Sequence, residues 1–427
     1  MDAARLPGTS RAEQVVANVD MDCFYAACER RRDPELAGEP LVVGMGYESG
    51  ESHGAVATAS YEAREYGIES AMPISEALER LPRRGDADPE PGTGIYRPVD
   101  MDHYEAVATE VKAVLQDHAD VVREVSIDEA YLDITDRVDW DGVKAWANGL
   151  RETIEAEASV PASVGVAPTM SAAKVASDHD KPDGQVVVRP GEVRGFFADL
   201  PVEAVHGVGP VTARELAEID IETAGDLASA DPESIEGRFG ERGREIRRYA
   251  RGEDPRSVTP KGDPKSLSRE SAFTDAVEDR EEKRRKARTL ADAVADRASR
   301  RGARYRTIGI KVVEPPFDVN TRARSLPGPV ADADLVESVA LELLAEFEDA
   351  EVRKIGVRIS NLDFSAGEQA ALTGFDGNSG AATAAHSDDA QDGGGQARLT
   401  AFDADTDGAP SGSERSEGQA SLDEFVN

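Results

Sequence analysis

The sequence is poor in cysteine, in long apolar runs and in positive charge. Its two cysteines, Cys23 and Cys28, stand close together with no histidine nearby. They make neither a disulfide framework nor a zinc site, so a reducing, cytoplasmic setting is expected. No apolar run approaches the roughly 20 residues of a membrane span, and the N-terminus lacks a signal-peptide stretch. Lys and Arg together number 49 against 84 acids, a net charge of −35. That sign opposes binding to a polyanion unless the positive charge is concentrated somewhere. At 427 residues the chain is too long for one core, and two to four domains are expected.

What is present centres on 121–135, VVREVSIDEAYLDIT. It reads as two short strands joined at a turn that carries Asp128 and Glu129. Acids are poor strand formers, so the pair is either a solvated turn or a cation site. A second acid decides how the stretch is read. Val15, Val16, Ala17 and Val19 form a buried strand ending on Asp20. Asp100 then caps a helical run to about His118, the acid hairpin follows, a second helical run covers 143–158, and a last strand covers 162–167. With residues 24–93 set aside, the order is that of a split βαβ, ferredoxin-like sheet. That topology brings Asp20, Asp128 and Glu129 to one edge. Three carboxylates raise one another's pKa, a conflict that a hard divalent cation relieves, and all-oxygen ligation suits Mg2+.

Three motifs, VDMDCFYAACE (19–29), AVATASYEAR (55–64) and SIDEAYLD (126–133), in this order and spacing, resemble those of the Y-family translesion DNA polymerases, in the DinB branch and an archaeal form. The resemblance covers about 13–362. It implies an α+β, multidomain right-hand polymerase: a ferredoxin-like palm at 13–23 and 94–188, small fingers at 24–93, a helix–hairpin–helix thumb at 189–258, a linker at 259–266 and an α/β little finger at 267–362, while composition adds a disordered leader at 1–12 and a disordered tail at 363–427. It implies two Mg2+ ions held by Asp20, Asp128, Glu129 and the backbone carbonyl of Met21. Tyr25 stands where the family has its steric gate against ribonucleotides. Phe24, Thr58, Tyr61, Arg64 and Lys181 match nucleotide-contacting positions, while Lys174 reads as structural. Primer–template DNA and dNTPs are the implied partners of a monomer. Synthesis without a proofreading exonuclease is expected, because no further acidic constellation is visible. A nucleotide cyclase also uses paired acids on such a sheet, but needs none of the segments that follow.

Gly207-Val208-Gly209 resembles a helix–hairpin–helix turn, whose Gly207 and Gly209 let backbone N–H groups approach a DNA phosphate. Residues 283–306 hold Lys283, Arg284, Arg285, Lys286, Arg288, Arg297, Arg300, Arg301, Arg304 and Arg306 against only Asp292 and Asp296. In so acidic a chain this local inversion of sign points to a phosphate-tracking surface, with Arg284, Arg285, Arg300, Arg301 and Arg304 as DNA contacts. Arginine greatly outnumbers lysine, and with the acid excess the composition resembles that of a salt-accumulating haloarchaeon. The tail carries a repeat: Gln369, Leu372 and Phe375; Gln396, Leu399 and Phe402; Gln419, Leu422 and Phe425. Gln-x-x-Leu-x-x-Phe resembles the peptide that docks on a PCNA-like sliding clamp. A second aromatic is missing from every copy, so each is expected to bind weakly. Flexible links of this length span roughly 25–30 Å and suit a multivalent tether.

Overall fold

The computed structural model describes residues 14–85 and 92–365. The leader and the three tail repeats lie outside the described residues. The chain divides into two units between Gly262 and Asp263.

The first unit opens with β1 (Val16–Met21), buried at every position. It is followed by an excursion through α1 (Phe24–Arg32), β2 (Leu41–Met45), β3 (Ala55–Ala59), α2 (Tyr61–Arg64), α3 (Ile74–Arg80) and β4 (Ile95–Pro98). Those strands form a separate sheet in the order β3-β2-β4, sealed by Val42, Val56, Ile68, Ile74, Leu81 and Tyr96. The chain then returns through α4 (Met101–His118), β5 (Val121–Glu124), β6 (Glu129–Asp133), α5 (Val143–Ala158), β7 (Ala162–Ala167), α6 (Met170–His179) and β8 (Gln185–Val187).

Local chemistry sets these bounds. The Asp100 carboxylate accepts from His103 N and starts α4, and Tyr104, Val107, Ala108, Val111, Val114 and Leu115 form its buried stripe. Thr169 caps α6 in the same way. The sheet order is β5-β6-β1-β7-β8, with β1 antiparallel to both neighbours. Gly165 on β7 lets α6 pack against the sheet at backbone contact. A Cβ there would lie 2.1 Å from Ser177 N and 2.2 Å from Ala173 O.

Beyond the sheet lie α7 (Val193–Phe197), α8 (Pro210–Ala217), α9 (Ala224–Ser229) and α10 (Pro232–Ala250), joined by Phe197, Val205, Leu216, Leu227, Ile235 and Ile246. The segment expected between two helices, Gly207 to Gly209, follows a one-turn 3-10 helix, Val202–Ala204, and precedes α8. Gly207 has φ of +87°, and Arg242 donates to its carbonyl at 2.8 Å.

The second unit holds β9 (Ser266–Val277), α11 (Arg280–Arg300), β10 (Arg304–Glu314), β11 (Asp318–Val330), α12 (Ala333–Leu344) and β12 (Val352–Asp363). Its antiparallel sheet runs β11-β10-β12-β9. Leu290, Val294, Val336 and Val339 from the helices meet Ile308, Ile310, Ile355 and Val357 from the sheet.

Candidate active site

The β1–β6 ladder places Asp20 opposite Glu129. Past the end of β1's pairing with β6, Met21 N donates to Asp128 O at 3.0 Å, which ties the hairpin turn to the same edge. Sequence and topology thus bring the three acids together. Asp20 is 9% exposed. Lys174 Nζ lies 2.5 Å from one of its oxygens and Lys181 Nζ 2.6 Å from the other. Lys174 also reaches Glu129 at 3.6 Å and Asp178 at 3.2 Å, and Lys181 reaches Asp178 at 3.2 Å. Lys174, read from the sequence as structural, stands at the centre of the acid cluster. Among the described residues no three Asp, Glu, His or Cys side chains are gathered closely enough to hold one ion, and ammonium groups take both oxygens of Asp20.

The electrostatics follow from this packing. Burial pushes the Asp20 carboxyl up, but the two lysines overcome it and hold it below its ordinary value. Burial raises Asp128, against a 2.5 Å bond from Ser126 Oγ and with the charge of Asp20 adding to it. Burial likewise raises Glu129, opposed by Lys174 and by a 2.9 Å bond from Asn18 Nδ2. The side-chain donors at this edge are carboxylate oxygens with no soft donor among them, a set whose chemistry suits a hard divalent cation.

Around this edge stand the other residues singled out in the sequence. Phe24 and Tyr25 begin α1 and are buried. The Tyr25 ring stacks on Tyr104 of α4, with centroids 4.5 Å apart and planes 15° apart, and Tyr104 is itself held by a 2.8 Å bond to Glu29. Thr58 is half-buried on β3. Tyr61 and Arg64 share α2, the guanidinium lying 4.8 Å from the Tyr61 ring centre while Arg64 Nε donates to Ala59 O. Tyr61 OH donates to Asp22 at 3.2 Å.

Asp22 is the residue here that sequence reasoning passed over, and Lys174, named there as structural, proves to contact the acids directly. Asp22 was visible as the second acid of Asp-Met-Asp, and Lys174 as a cation on the helix preceding Lys181.

In the second unit, the basic segment is not uniform. Lys283 is 1% exposed and donates to the carbonyls of Phe347, Glu348 and Ala350 at 2.7–3.0 Å, so its charge caps the turn that follows α12 and does not face solvent. Arg284 sits 3.5 Å from Glu348, and Arg304 pairs with Asp363 at 2.8 Å. Arg285, Arg300 and Arg301 are exposed.

Two family models match the chain: the impB/mucB/samB family over residues 19–178, and its C-terminal domain over 264–372. A protein named DNA polymerase IV from Halobacterium salinarum is 58% identical over 375 residues, covering 88% of this chain and 91% of that one. The chain belongs to the Y-family DNA polymerases, in the archaeal DinB branch. The DNA polymerase IV of Methanoculleus marisnigri is 40% identical to this polymerase and covers 85% of it and 98% of its own length. Among solved structures, a Y-family DNA polymerase chimera, Dbh-Dpo4(243-245)-Dbh, superimposes with a TM-score of 0.72 at 28% identity, covering 82% of the polymerase and 99% of the chimera. An insertion ternary complex of Dbh DNA polymerase gives 0.59 with the same coverage.

Proposed function

We propose that this polymerase carries out template-directed DNA synthesis past damaged bases, by nucleotidyl transfer at the Asp20–Asp128–Glu129 edge and without proofreading. The observation that supports the reading is the strand-end geometry: the β1–β6 register pairs Asp20 with Glu129, and Met21 N donates to Asp128 O at the same edge. Asp20, Asp128, Glu129 and the Met21 carbonyl would hold two Mg2+ ions. When bound, such ions supply charge to the attacking and leaving oxygens of an in-line displacement. Lys181, Tyr61 and Arg64 would orient a triphosphate. Tyr25, its ring stacked on Tyr104, would act as the steric gate against a ribose 2′-hydroxyl.

Palm, fingers and thumb are assigned the bounds given above, and the little finger is assigned Ser266–Asp363, the outer ends of β9 and β12, where the sequence reading put Ser266 in the linker and Asp363 in the tail. DNA contacts are assigned to Gly207 and Gly209 and to the arginines of 284–304, among which the exposed Arg285, Arg300 and Arg301 are the better placed. The tail repeats would tether the enzyme to a sliding clamp. That tether is refuted if replacing Phe375, Phe402 and Phe425 together leaves clamp-stimulated synthesis in molar KCl intact.

Primer extension across an abasic template site in molar KCl tests the main reading. Wild type extends past the lesion with dNTPs, and Asp128→Ala loses about three orders of magnitude or more in rate. Equal extension by Asp128→Ala would remove the site assignment.

A further inference from the structure

Asp22 lies one residue beyond β1 and is 2% exposed. A buried carboxylate is tolerated only when donors satisfy it, and here they come from three separate elements. Ser163 Oγ, on β7, lies 3.0 and 2.9 Å from its two oxygens. Asp183 N, in the turn after α6, donates to Oδ2 at 2.7 Å. Tyr61 OH, at the start of α2, donates to Oδ1 at 3.2 Å. Ser163 Oγ in turn accepts from Gly184 N at 3.1 Å, so the turn 180–184 is held at two successive N–H groups. That turn carries Lys181, and α2 carries Tyr61 and Arg64. The oxygens of Asp22 are committed to these donors, which sets it apart from the cation-binding acids although it stands two residues from Asp20.

We propose that Asp22 is a positioning residue for the incoming nucleotide: one carboxylate fixes the Lys181 turn and the Tyr61 end of α2 relative to each other, and so presets the span between the two sides of the triphosphate site. This rests on the polymerase reading given above. Its chemistry separates it from the metal ligands. Loss of Asp22 costs nucleotide affinity, because binding must now order the turn and the helix, and leaves the chemical step largely intact.

Asp22→Asn keeps size but sets an amide N–H2 against a backbone N–H or a hydroxyl. In single-nucleotide incorporation its KM for dNTP is expected to rise about tenfold, with kcat changed by less than about threefold. In a Lys181→Ala background the same change adds less than about twofold, because the turn it holds no longer carries the contact. Binding of an α,β-imido dNTP to the enzyme–primer–template complex, which needs no turnover, weakens in parallel. Tyr61→Phe, which removes one donor and keeps the ring, raises KM by a few-fold and serves if Asp22→Asn does not fold. A collapse of kcat at unchanged KM overturns the inference, as does full additivity with Lys181→Ala, or analogue binding as tight as wild type in both Asp22→Asn and Tyr61→Phe. If wild type itself fails to bind the analogue on primer–template, the polymerase reading fails instead.

Discussion

Lys174 Nζ rests 2.5 Å from Asp20 although 154 residues separate them in the chain. Burial pushes this ammonium group down, but Asp20, Glu129 and Asp178 hold it above its usual range. The ammonium group is thus the counter-charge shared by these carboxylates.

The first prediction follows from that pairing. Lys174→Met removes the shared counter-charge and leaves Asp20 and Glu129 facing each other. Without divalent ions the variant loses about 3 kcal/mol of stability. Added MgCl2 raises its Tm more than it raises that of wild type. Thermal unfolding with and without MgCl2, at fixed KCl, measures the difference. Equal rises in the two proteins would show that Lys174 does not share a site with the cation.

A second prediction concerns the seat of α6. A Cβ at position 165 meets helix backbone, which cannot swing away as a flexible side chain can. Gly165→Ala should cost about 3 kcal/mol in denaturant unfolding and reduce primer extension as well, because α6 carries Lys174. A variant with an unshifted denaturation midpoint would contradict the packing described.

Acid stability supplies a third. Asp254 has no exposed side-chain surface. It accepts from Ser171 N at 3.0 Å and binds Arg256 with both oxygens at 2.9 Å. Burial pushes its carboxyl up, but the Arg256 hydrogen bonds and charge hold it below the ordinary 3.8. A depressed carboxylate contributes stability above the unfolded-state value, and that contribution is lost as pH falls through the lower folded value. Asp254→Asn should cost about 2 kcal/mol at neutral pH. The gap to wild type should narrow on acidification below 3.8, in unfolding curves compared across pH. A gap that stays constant would mean the carboxylate charge does not matter there.

The fourth separates two kinds of basic residue. Changing Arg285, Arg300 or Arg301 to Gln should weaken binding to duplex DNA and lower the slope of log K against log salt by about one each. Lys283→Met should leave that slope alone and lower Tm, because its ammonium group serves three carbonyls. Titrations at several KCl concentrations decide this. A slope change in Lys283→Met would place it on the DNA after all.

Much of the site edge was legible because strands alternate and helices announce their ends. Asp20 closes an apolar run, Asp100 caps its helix, and the acid pair sits at a turn between two apolar stretches. The fold order then follows from connection lengths. Other features were not legible, for physical reasons. Strand β11 contains Pro327 and Pro329 and several charges, and β9 mixes serines and charged residues with only scattered apolar ones, so neither reads as a buried strand. Lys174 and Asp22 take their meaning from partners far away in sequence. A charge on a helix looks the same whether it meets water or a distant acid. Lys283 shows the converse: clustering of sign suggested solvent, and the side chain turned inward to the carbonyls after α12.

The two ammonium groups on Asp20 also bear on how such an enzyme survives handling. A domain whose only counter-ions are borrowed metals unravels under a chelator. This chain carries a built-in substitute, so stripping divalent ions should silence catalysis while the palm sheet stays assembled, ready to resume when the ions return.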